Sequence, residues 1–154
     1  MSDVASPVSA AAHGIRWGRV ILGALLLEVA LFVVLIPVAM VVNNPFFTAA
    51  DTTSTDFTTF FVLVSTACFV FGFLAALWAV RPVTSRVLLH GTLVGVIATA
   101  MYLGLGMLQP GGLPPIVAAY GPFVFYLAQG LRIAGSTAGG ASLRSLRKLR
   151  PGRP

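Results

Sequence analysis

The sequence predicts an all-α integral membrane protein, with four transmembrane helices in an up-down bundle and both termini cytoplasmic. Three observations lead there. Apolar residues make up 57% of the 154-residue chain and charged residues only 9%, too few polar groups to cover a soluble fold. The apolar positions gather into four runs of about 20 residues, the length needed to cross a hydrocarbon core. All ten Lys and Arg residues lie at alternate ends of those runs, and positive charge in short loops marks the cytoplasmic side. Arg16 and Arg19 precede the first run, and Arg81 and Arg86 bracket the link between the second and third. Arg132, Arg144, Arg147, Lys148, Arg150 and Arg153 close or follow the fourth.

Residues 1–14 are Pro-, Ala- and Ser-rich and are expected to be disordered. Arg16-Trp17-Gly18-Arg19 then supplies an interfacial anchor, an indole between two cations. The first span is expected over about 20–42, with Pro37 removing a backbone donor in its outer third. It is far longer than the roughly 7–15 apolar residues of a cleaved signal peptide, so it reads as a retained anchor. Residues 43–57 form the longer outer connection, with Phe46 and Phe47 at the interface and Asp56 or Ser54 as the next N-cap. The second span covers about 57–80, and Arg81-Pro82-Val83-Thr84-Ser85-Arg86 is a tight turn. The third covers 87–108, ending at a connection (109–115) dense in Gly and Pro. The fourth runs over about 116–133, interrupted near its outer end by Gly121-Pro122. These four spans make one domain, residues 15–134. The basic cytoplasmic tail, 135–154, places Leu143, Leu146 and Leu149 between cations, which suits a short helix lying on the inner leaflet; the alternative is a solvated basic tail that serves only as a topology determinant.

A faint internal repeat accompanies this pattern. Arg19-Val20-Ile21-Leu22 matches Arg86-Val87-Leu88-Leu89, and Phe69-Val70-Phe71 matches Phe123-Val124-Phe125. Two duplicated in-out-in hairpins would give such matches, as would any apolar sequence of low diversity.

Glu28 is the one acid inside a span. A charged carboxylate at mid-bilayer costs roughly 2.5–3.5 kcal/mol, so it must face protein or water, or stay protonated. Nine residues inward from Arg19 place it about 13 Å deep at ~1.5 Å per residue. The same count from Arg81 and Arg86 reaches Gly72 and Gly95. Tyr126 and Gln129 fall near that level on the fourth helix, and His90 one turn into the third. Glu28, Tyr126, Gln129 and His90 therefore form a candidate intramembrane polar site. Gly72, Gly91 and Gly95 are candidate helix-packing positions, because small residues let helix backbones approach. Arg144, Arg147, Lys148 and Arg150 are candidate contacts for anionic lipid headgroups. The lone Cys68 reads as a packing residue. No metal or cofactor is expected, and charges confined to membrane edges exclude a nucleic-acid surface.

The segment Gly23-Ala24-Leu25-Leu26-Leu27-Glu28-Val29 resembles the first-helix motif of small multidrug-resistance transporters. The resemblance implies a glutamate that exchanges protons for cationic drugs within a dimer of four-helix subunits. It covers about seven residues of the chain. The sequence departs from the family in its long 43–57 connection, in lacking a tryptophan deep in the third helix, and in its one-sided charge. The chain also has the general look of small four-span bacterial membrane proteins, which implies an inner-membrane location.

No nucleophile with an oriented base, metal cluster or phosphate loop points to an enzyme. Three readings follow. The first, which the sequence favours over the other two, is an accessory or interaction subunit that packs through small-residue faces with a copy of itself or with a larger membrane complex. The second is a proton-coupled or cation transporter built on Glu28. The third is an inner-leaflet scaffold acting through the basic tail.

Overall fold

In the computed structural model, residues 14–41, 55–113, 117 and 121–149 are described, with the side chains of 39–41, 55–57, 60 and 149 excepted. The expectations for residues 1–13, for Phe46 and Phe47, for Ser54 as a cap and for Arg150 lie outside them. The protein is all-α, with four helices: α1 (Trp17–Val41), α2 (Thr55–Val80), α3 (Val87–Met107) and α4 (Pro122–Leu149). Three stretches, Trp17–Val38, Phe61–Val80 and Val87–Met107, are long and apolar enough to cross a membrane. They also carry large apolar side chains on their outward faces, among them Leu22, Val33, Val62 and Leu74. Uncovered rows of this kind suit lipid and not water, so the helices are compatible with a membrane protein.

Each helix boundary has a local cause. α2 starts at Thr55, which puts Asp56 inside the helix instead of at its cap. Arg81-Pro82 stops α2, since proline cannot continue a helix hydrogen-bond ladder. Arg86 then adopts a left-handed conformation (φ 51°) at the N-cap of α3. α4 begins at Pro122, a residue whose fixed φ suits a first helical position, after Gly121 turns the chain at φ 76°.

Contacts at the helix ends show which ends meet. The Arg16 backbone N–H donates to Nε2 of His90 at 3.0 Å, joining the start of α1 to the start of α3. Near the end of α4, Arg147 donates to the carbonyls of Val83 and Arg81 in the turn between α2 and α3. The starts of α1 and α3 and the ends of α2 and α4 therefore share one end, the basic end. α2 and α3 pack against each other and against both remaining helices, while α1 and α4 hardly touch by backbone. Val20, Ala24, Leu27, Ala76, Ala79 and Val94 form the heart of the apolar core.

The fourth helix differs from expectation. It runs unbroken for 28 residues to Leu149, where the sequence suggested a span closing near Ile133 and a separate tail from 135. The glycines at the start of that segment, Gly135, Gly139 and Gly140, are packing positions. A Cβ on Gly135 would strike the Phe69 backbone, and one on Gly139 the Phe73 carbonyl. A Cβ on Gly140 would lie 3.0 Å from the Val87 carbonyl. Small residues lower a segment's hydropathy while allowing backbones to approach, so close packing had the appearance of a solvated tail.

Candidate functional site

The continuous helix moves Arg132 from the edge of the structure to its middle. Its Nη1 donates to Glu28 Oε1 at 2.5 Å, and both side chains are about 95% buried. Among the described residues this is the only salt bridge. The pair joins the two helices that otherwise barely meet, so the guanidinium crosses the centre of the structure between α2 and α3.

Glycines make that crossing possible. A Cβ on Gly72 would stand 2.8 Å from the Arg132 carbonyl, and one on Gly95 would stand 2.7 Å from the Ile133 Cα. Both α2 and α3 thus let the α4 backbone come close enough for a long side chain to pass between them. Gly91 does the same one turn nearer the basic end, against the Ser136 carbonyl. Ser136 Oγ donates to the Gly72 carbonyl at 3.2 Å, and the Thr92 and Thr137 hydroxyls meet at 3.0 Å.

The surroundings of the pair are asymmetric. The Arg132 guanidinium lies 4.4 Å from the centre of the Tyr102 ring, an arrangement that favours a cation over an aromatic face. Tyr102 on α3 and Cys68 on α2 are within electrostatic range of both charges. On the side away from the basic end, Ser65 Oγ, Thr99 Oγ1, Gln129 Oε1 and Arg132 Nε are buried without a hydrogen-bond partner. Each of the first three sits within two turns of Cα positions level with the pair, on three different helices. Toward the basic end the interior is closely packed, with Val20, Ala24, Ala76, Ala79 and Val80 almost wholly buried, and its buried polar residues Ser136 and His90 are hydrogen-bonded. An unpaired buried polar atom costs about 1–3 kcal/mol, so unsatisfied polar atoms on the other side call for water or a ligand there.

The sequence-derived candidates divide accordingly. Glu28 and Gln129 belong to this buried centre. Tyr126 does not: it is 65% exposed and points outward, because a depth count ignores helix facing and the buried face of α4 carries Phe125, Gln129, Arg132 and Ser136. His90 is buried but committed elsewhere, with Nε2 accepting from Arg16 N–H and Nδ1 bonded to the Arg86 carbonyl at 2.9 Å. That pattern describes a neutral imidazole stapling two helix starts, away from the charge pair. Of the proposed lipid contacts, Arg144 and Lys148 are exposed, while Arg147 is held by the α2–α3 turn. Gly72, Gly91 and Gly95, expected to form packing grooves, are filled by α4.

Arg132, Cys68, Tyr102, Ser65 and Thr99 were not among the candidates. The signal for Arg132 was available. A lone buried acid needs a cation, and Arg132, Gly135, Ser136, Gly139 and Gly140 continue a helical stripe past the assumed end. Among the described residues, no group of three or more His, Cys, Asp or Glu side chains could hold a metal ion. No protein family, curated protein or solved structure matches the chain.

Proposed function

We propose that this is a four-span membrane protein of up-down topology with both termini cytoplasmic, and that the Glu28–Arg132 couple is the centre of a proton-coupled transport cycle. α4 is less apolar than the others, yet at ~1.5 Å per residue its 28 residues exceed the ~30 Å core, and it lies along α2 and α3. A helix packed on two crossing helices crosses with them.

The observation that carries the reading is the buried pair itself. Replacing a buried ion pair with apolar residues is often neutral or stabilising, so stability alone gives little reason to retain one. Ionisable residues inside a membrane segment mark pathways and relays by default. Protonating Glu28 would release Arg132 in an interior that also holds the unpaired Gln129, Thr99 and Ser65 side chains. The groups around Glu28 that such a step involves are Arg132 on α4, Cys68 on α2 and Tyr102 on α3. Access would come from the outer side, since the basic end is plugged by small apolar residues. A bare carboxylate suits a cationic substrate, whereas this one is already neutralised by a guanidinium that repels a second cation. The couple therefore favours protons with a neutral or anionic solute over cation exchange.

The accessory-subunit reading keeps one support, the exposed apolar face of α1. Its other support is weaker, because the small-residue faces are occupied within the chain.

The test is proton movement in proteoliposomes that hold an entrapped pH dye, under a pH step and with panels of small neutral and anionic solutes. Protein-dependent, solute-stimulated flux is expected. Glu28→Gln should abolish it and Glu28→Asp should slow it. Flux no faster than in empty liposomes, or unchanged in a folded Glu28→Gln variant, would make the pair a structural pin and favour the accessory reading.

A further inference from the structure

A second feature at the basic end is untouched by the charge pair. Arg19, Trp78, Arg81 and Pro82 line a cleft of about 330 Å³ between the start of α1 and the end of α2. The Arg19 guanidinium lies over the Trp78 ring, 5.6 Å from its centre. The turn carrying Arg81 is braced from behind by Arg147, through its bonds to the Arg81 and Val83 carbonyls. Arg19 and Arg81 thus line one cleft, with the Arg19 guanidinium set against the Trp78 ring and the Arg81 backbone fixed by Arg147. Among the described residues the only salt bridge is the distant Glu28–Arg132 pair, so neither arginine is paired with a carboxylate among them.

We infer that this cleft binds the phosphodiester headgroup of an anionic glycerophospholipid. Arginine presents a planar fork of donors that matches phosphate oxygens, and an indole prefers the boundary between apolar and wet regions. The adjoining surface fits acyl chains. Leu22 is one turn from Arg19 and Leu74 one turn from Trp78, and both are about half exposed. A ridge of apolar side chains therefore leads from the cleft toward the middle of the helices, which a free phosphate would not use. The inference rests on the membrane reading of the helices and is independent of what Glu28 does.

The test uses the full chain in lipid nanodiscs, in a Trp17→Phe background that leaves Trp78 as the single reporter tryptophan. Brominated acyl chains quench nearby indole fluorescence, so matched brominated phosphatidylglycerol and phosphatidylcholine are compared at equal mole fraction. Stronger quenching by the anionic lipid is expected, with the preference falling about fivefold for each of Arg19→Gln and Arg81→Gln. Arg86→Gln, which removes the same charge from an exposed position outside the cleft, should leave it intact, and added inorganic phosphate should not displace the lipid. Native mass spectrometry of the unsubstituted protein should retain phosphatidylglycerol over phosphatidylcholine, whatever the variants do. Equal quenching by the two lipids, an equal loss in Arg86→Gln, or no retained anionic lipid would overturn the site. Displacement by inorganic phosphate would overturn the lipid assignment.

Discussion

Replacing Arg132 with methionine while Glu28 stays in place is expected to destabilise the protein by about 3–5 kcal/mol, the cost of orphaning one partner of a buried ion pair. Glu28→Met should do comparable damage, because the guanidinium would then sit beside Tyr102 with no carboxylate. The double variant should recover most of the loss. Two methionines fill similar volume and leave no buried charge, and apolar replacements of whole buried pairs are often neutral or better. The coupling is large because both side chains are about 95% buried, where an unpaired charge is poorly solvated. Thermal melting in a mild detergent, with the four proteins arranged as a double-mutant cycle, reads it directly. Additive losses would mean that the two charges do not meet.

The second large effect concerns the glycines of α4. Gly135→Ala and Gly139→Ala each push a methyl group into the α2 backbone, at the Phe69 and Phe73 carbonyls. Backbone cannot step aside as a flexible side chain does, so each is expected to cost ~1–3 kcal/mol through overpacking. Gly104→Ala and Gly130→Ala are the matched controls, since nothing lies within 4 Å of a Cβ at either position. Those two should be neutral or gain slightly from better helix propensity. Melting of the four variants in the same detergent separates the outcomes. A residue in a loose cytoplasmic tail would tolerate alanine as readily as the controls do.

Much of the architecture was readable from charge and hydropathy because the first three helices carry their signals plainly. α3 runs Val87–Met107, within a residue of the apolar run read from the sequence, since Arg86 and the Gly/Pro-rich turn at 109–115 bound it sharply. Counting depth from Arg19, Arg81 and Arg86 brought Glu28, Gly72 and Gly95 to one level, and all three adjoin Arg132. The fourth helix was harder to read for a physical reason. Hydropathy measures what suits lipid, and from Ile133 onward α4 is built to suit other helices. Its Gly, Ser, Ala and Thr residues disappear against α2 and α3 and need no apolar bulk. The same misreading put Arg132 at an edge, where positive charge usually belongs, while counting depth without helix facing put Tyr126 in an interior that it does not face. The chemistry of His90 could not be settled from sequence either, because its partners are a backbone amide 74 residues away and the carbonyl of a residue in a left-handed conformation.

The most direct measurement is a disulfide cross-link between Thr92→Cys and Thr137→Cys, made in a Cys68→Ala background and assayed in native membranes. The two hydroxyls lie 3.0 Å apart, which suits the Cβ separation of about 3.5–4.5 Å that a disulfide requires. Helix α4 continuing past Arg132 along α3 predicts rapid cross-linking within single molecules under mild oxidation. Free thiols after oxidation, or cross-links found only between two copies of the chain, would mean that Arg132 ends its helix at the surface and that no charge pair crosses the centre.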